Sequence, residues 1–122
     1  MSITVTSIYI SSAFHIAFII LHLCFWRLLK WDEQLKRLSA DNKAVMQTLN
    51  LCLTLLFVLL TVLFNQYMDE VITTSLGQAL FRSVGLFWVF RAILQVLLFN
   101  LKSTVDQIFL GLFIFGSYIH LM

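Results

Sequence analysis

Four apolar blocks of about 18 to 22 residues, separated by short polar connections, occupy about two thirds of this 122-residue chain. At a helical rise of ~1.5 Å per residue, each block is long enough to cross a hydrocarbon core of ~30 Å. Backbone amides find no water in such a core, so each crossing segment must satisfy its own hydrogen bonds as a helix. The chain therefore reads as an all-α integral membrane protein. It forms a single transmembrane domain over 1–122, a four-helix bundle with spans at about 8–28, 44–64, 77–99 and 104–122. Composition agrees: 61% of the residues are hydrophobic and 11% charged, well under the ~25% charge of a water-facing surface. Connections this short make sequential helices antiparallel neighbours, which gives an up-down-up-down order.

The first block ends on Arg27, Lys30 and Trp31, a basic and aromatic edge of the kind found at a headgroup boundary. No positive residue precedes that block and no small-residue cleavage site follows it, so it reads as a retained span rather than a signal peptide. Residues 31–43 carry most of the charge and place Trp31, Leu35 and Leu38 at helical spacing, the pattern of a short interfacial segment. Ser39 or Asp41 is the expected N-cap of the second span, and Thr73, Thr74 or Ser75 that of the third. Ser103 with Asp106 makes a capping-box variant ahead of the fourth. The first connection carries Arg27, Lys30, Lys36, Arg37 and Lys43 and the third carries Lys102, whereas the second has Asp69 and Glu70 and no base. Positive-inside counting then puts both termini outside the cytoplasm, in a multi-pass protein of the cell membrane.

Polar residues within the blocks are the only chemical signal. Measured from the cytoplasmic boundaries, His22 and Asn50 lie ~9 Å deep, Gln95 ~6 Å, Gln47 ~5 Å and Arg91 ~12 Å, so five polar groups from three helices share one layer. His15, Thr61, Arg82 and His120 fall in a second layer near the outer boundary. His15 and His22 stack on one helical face, Gln47, Asn50, Thr54 and Thr61 form a stripe, and Trp88, Arg91 and Gln95 form another. Arg82 points away from Arg91 and is expected to snorkel outward or to reach Asp69 or Glu70. A guanidinium near the bilayer centre costs about 2.5 to 3.5 kcal/mol, so Arg91 needs compensation from the Asp106 carboxylate, from Asn50, Gln95 and His22, or from an external anion. The candidate ligand-binding residues are Arg91, Gln95, Asn50, Gln47, His22 and Trp88. The competing reading of the same group is interhelical hydrogen-bond glue, each bond contributing about 0.6 to 1.7 kcal/mol.

Other chemistry finds no carrier. His15 and His22 stand ~10.5 Å apart along one helix, too far to ligate one metal, and a b-type haem would have only His120 as a second axial ligand. No metal site and no cofactor is expected. Neither HExxH, GxSxG nor a Gly-rich phosphate loop occurs, and the acidic residues lie in connections or at span ends. Cys24 and Cys52 sit in apolar blocks and read as small buried hydrophobes. The recurrence of Phe25-Trp26 as Phe87-Trp88 joins positions of different depth and reads as chance. A net charge of +2, confined to short loops, does not suggest nucleic acid. The expectation is a non-enzymatic protein that binds or moves an anionic lipid or small amphiphile around Arg91. Its partners would be membrane lipids, with further copies or other membrane-protein subunits as the alternative in a structural or accessory role.

Overall fold

The computed structural model describes residues 2–122, and most of these are helical, with no strand among them. No proline interrupts the apolar blocks, so each winds without losing a backbone bond. Four helices are long and apolar enough to cross a membrane: α1 (Val5–Leu23), α4 (Ala40–Gln66), α6 (Ser75–Leu98) and α7 (Thr104–Leu121). Between them lie three short helices, α2 (Phe25–Leu28), α3 (Trp31–Gln34) and α5 (Met68–Thr73), and a single tight turn at Leu35–Arg37.

The boundaries differ from the sequence reading in physically specific ways. The first span stops at Leu23 rather than Leu28, because the Cys24 amide is shared between the Ile20 and Leu21 carbonyls and the coil tightens there. Lys30 then adopts a left-handed conformation, φ 52°, which reverses the chain into α3. The second span starts four residues early, at Ala40, where the Ser39 hydroxyl accepts the Asn42 amide at 3.2 Å. Of the three candidates for the third span, Thr74 is the cap: its hydroxyl accepts the Gly77 amide at 3.0 Å. The capping box ahead of α7 does not form. Ser103 occupies the cap position without a side-chain bond, and Asn100 Oδ1 instead takes the Lys102 amide at 3.1 Å. In the interfacial segment Trp31 and Leu35 are buried, Trp31 edge-on to Trp26 at 4.8 Å, while Leu38 is exposed. The expectation of buried cysteines fails, because both Cys24 and Cys52 lie on outward faces.

The described chain divides into two units, and the division falls inside α1 and α4. Residues 12–63 form one. There α1 and α4 run antiparallel and meet through rings: Phe57 lies 5.5 Å from His15, 6.3 Å from Phe18 and 5.4 Å from His22. The other holds residues up to 11 together with 64–122, and its centre is the antiparallel pair α6 and α7. Gln95 meets Asp106, Trp88 stacks on Phe113, and Gly85 meets Leu121, so each step toward the start of α6 matches a step toward the end of α7. These helices approach closely because Gly85 is bare: a Cβ there would stand 2.5 Å from Leu121 Cγ.

Candidate functional site

Trp88, Arg91 and Gln95 follow one another at three- and four-residue spacing on the face of α6 that meets α7. Trp88 and Gln95 are each 1% exposed. The Trp88 ring stacks on Phe113 with centroids 5.7 Å apart and planes within 14°. Gln95 Nε2 donates to the main-chain carbonyl of Asp106 in the first turn of α7 at 3.0 Å. A carbonyl only accepts, so this bond orients the amide and turns Oε1 back toward α6. There it accepts from Arg91 Nη1 at 3.1 Å.

The guanidinium carbon of Arg91 lies 4.4 Å from the Phe113 ring centroid and 5.1 Å from that of Phe99. Helical side chains lean toward the N-terminus, so contacts with residues four and eight positions onward show that this side chain bends the other way. It carries its charge toward the end of α6, as a snorkelling arginine does. The two rings supply cation–π attraction, worth about 0.5 to 2 kcal/mol each according to how fully the pair is desolvated. Arg91 is half-buried. Its partners among the described residues are Gln95, Phe99 and Phe113, none of them charged. The link to Asp106 runs through Gln95 to the main chain and not to the carboxylate. A guanidinium has five donors, and only one is engaged by Gln95, so its edge can offer a fork of N–H groups to an oxyanion.

The remaining expected site residues, Asn50, Gln47 and His22, belong to the 12–63 unit. Asn50 Nδ2 donates to the His22 carbonyl at 3.1 Å, a bond between α4 and α1. His22 Nδ1 donates to the Phe18 carbonyl at 2.8 Å, and its ring lies 4.6 Å from Phe25. Gln47 is half-buried. Thr54 and Thr61 turn their hydroxyls onto carbonyls one turn back in α4, at 2.8 and 2.9 Å, so that part of the polar stripe is satisfied within its own helix. The six residues thus form two groups, each with hydrogen bonds of its own.

In the outer layer, where the sequence placed His120 and Arg82, Ser11 was missed. Ser11 and His120 are 1% and 0% exposed, and Ser11 Oγ lies 2.7 Å from His120 Nε2. His120 Nδ1 donates to the Gly116 carbonyl at 2.7 Å, so in the neutral imidazole Nε2 is the acceptor and the serine hydroxyl the donor. Arg82 Nη1 donates to the His120 carbonyl at 3.1 Å. The depth of Ser11 below the outer boundary was the available signal, since it places a hydroxyl opposite His120. Among the described residues no group of three or more His, Cys, Asp or Glu is arranged to hold a metal ion. Neither a protein-family model, nor a curated protein, nor a solved structure matches this chain.

Proposed function

We propose that this chain is a small, non-enzymatic integral membrane protein of the cell membrane, an up-down-up-down arrangement of α1, α4, α6 and α7, that binds an anionic lipid at Arg91. Both termini face away from the cytoplasm, and the end of α6 lies in the cytoplasmic leaflet. The belt residues support this placement: Tyr9, Tyr67 and Tyr118 are exposed at one set of helix ends, while Trp26 and the basic first connection mark the other. The observation that carries the ligand is the half-buried guanidinium whose described partners are all neutral. At that depth an anion is the strongest compensation available to it. Asn50 and His22 act as glue between α1 and α4.

The test is Arg91→Met in mixed micelles, with native mass spectrometry and thermal unfolding as readouts. The parent should retain anionic lipid and gain stability on its addition, by mass action. The variant should lose both responses and remain folded, because an apolar chain of similar length replaces a desolvated charge. Equal stabilisation of the two proteins by anionic lipid would refute the reading. A further copy or another membrane subunit acting as the sole partner would show as an assembly indifferent to Arg91→Met.

A further inference from the structure

Gln95 accepts the side-chain hydrogen bond that Arg91 donates. It is 1% exposed and makes two bonds with opposite ends of its amide, Nε2 to the Asp106 carbonyl at 3.0 Å and Oε1 to Arg91 Nη1 at 3.1 Å. A carboxylate in that place would also meet Nη1, but it would neutralise the guanidinium and set two acceptors against the Asp106 carbonyl. An apolar side chain would leave the charge intact and free to leave its position over Phe113. Only an amide of this length both anchors to α7 and fixes the guanidinium while leaving its charge uncompensated. Beside this edge α6 ends in Leu97 and Leu98 and passes into Phe99, all exposed, so a ligand here keeps an apolar body against apolar side chains.

We infer that Gln95 is a positioning residue that holds Arg91 edge-outward and unneutralised, and that the site accordingly takes the phosphate oxyanion of an anionic phospholipid headgroup. The inference rests on the proposed lipid site at Arg91 and adds to it the device that sets its selectivity. Phosphate oxygens match the paired N–H donors of the guanidinium edge. The exposed leucines favour a phosphate attached to acyl chains over one free in water.

The experiment measures the thermal shift given by phosphatidylglycerol, phosphatidylcholine and inorganic phosphate to the parent, Gln95→Glu, Gln95→Leu and Arg91→Met, all in the same micelles. The parent should respond to phosphatidylglycerol and to neither of the others. Gln95→Glu should lose that preference outright, because its carboxylate takes the charge. Gln95→Leu should bind phosphatidylglycerol about tenfold more weakly, the loss expected for one hydrogen bond to a charged group. A general loss of stability would lower unfolding temperatures with and without lipid and leave the preference for phosphatidylglycerol over phosphatidylcholine unchanged, and that result would overturn the inference. Should Gln95→Glu fail to fold, Gln95→Leu alone decides: undiminished affinity refutes the positioning role. If both Gln95 variants bind as the parent does while Arg91→Met does not, the lipid site stands and the role of Gln95 falls. Stabilisation of the parent by inorganic phosphate to the same extent would overturn the assignment to a lipid.

Discussion

Arg91 and Arg82, nine residues apart on α6, house the same charge differently. Arg82 reaches a main-chain oxygen at the end of α7, which draws a cation toward the negative end of that helix. Arg91 receives one neutral amide oxygen and two ring faces. Two of the twelve phenylalanines, Phe99 and Phe113, therefore act as partners of a cation in addition to packing. The Ser11 and His120 pair gives a direct test of how much one buried polar contact contributes. Ser11→Ala removes the donor from a ring nitrogen in a fully buried imidazole and should cost about 1 to 3 kcal/mol. Ser11→Ala combined with His120→Phe takes away both partners and should recover part of that loss, since no buried ring nitrogen is then left without a donor, while the Gly116 carbonyl gives up its bond from Nδ1. Chemical unfolding of the three variants beside the parent checks the ordering. A double variant less stable than Ser11→Ala would show that the histidine contributes chiefly through its other contacts.

The two turns that lead into α6 and α7 share a construction that the capping rules only partly anticipated. Gln78 Nε2 donates to the Ile72 carbonyl at 2.6 Å, and Gln107 Nε2 to the Leu101 carbonyl at 2.7 Å. In both, a glutamine four residues past the cap reaches a carbonyl two residues before it. Gln107 and Asn100 thereby brace the turn ahead of α7, although neither accepts a first-turn amide of that helix as Ser103 and Asp106 were expected to do. The turn from α5 into α6 is the tighter of the two. A Cβ on Gly77 would collide with the Glu70 carbonyl oxygen and stand 2.6 Å from Val71 Cα. Both are backbone atoms, so relief requires α5 to move rather than a side chain to rotate. Gly77→Ala should destabilise by about 1 to 3 kcal/mol or more, against the usual gain of exchanging glycine for alanine in a helix. A Gly111→Ala control, where nothing lies within 4 Å of the added atom, should be neutral or stabilising. Thermal melts of the two variants test this, and equal melting temperatures would contradict it.

The proposed orientation rests on the distribution of charge along the chain. With both termini outside, single-cysteine reporters at Lys36 and Lys102, in a background lacking Cys24 and Cys52, should resist a membrane-impermeant reagent in intact cells. A reporter at Asp69 should react. Labelling at Lys36 before lysis would invert the topology and move the Arg91 site to the outer leaflet. Both native cysteines lie on outward faces, so their removal disturbs little packing.

The four helices and their approximate limits were legible in the amino-acid order, because hydrocarbon tolerates only segments whose amides bond internally, and hydropathy marks such segments directly. The spacing of Trp88, Arg91 and Gln95 likewise placed them on one face, since periodicity within a helix is local. The missed details have a common cause. Whether α1 ends at Cys24, whether Ser103 caps, and whether a cysteine faces inward depend on bonds and neighbours that hydropathy does not register. The partners of Arg91 show this most clearly. Asn50, Gln95 and Asp106 all lay within plausible depth, and all could answer a guanidinium chemically. Gln95 took that role because the packing of α6 on α7 brings the Asp106 carbonyl within reach of its amide, and that contact turns Oε1 toward Arg91. Depth is a property of position along the chain, whereas the direction of a hydrogen bond is settled only when two helices pack.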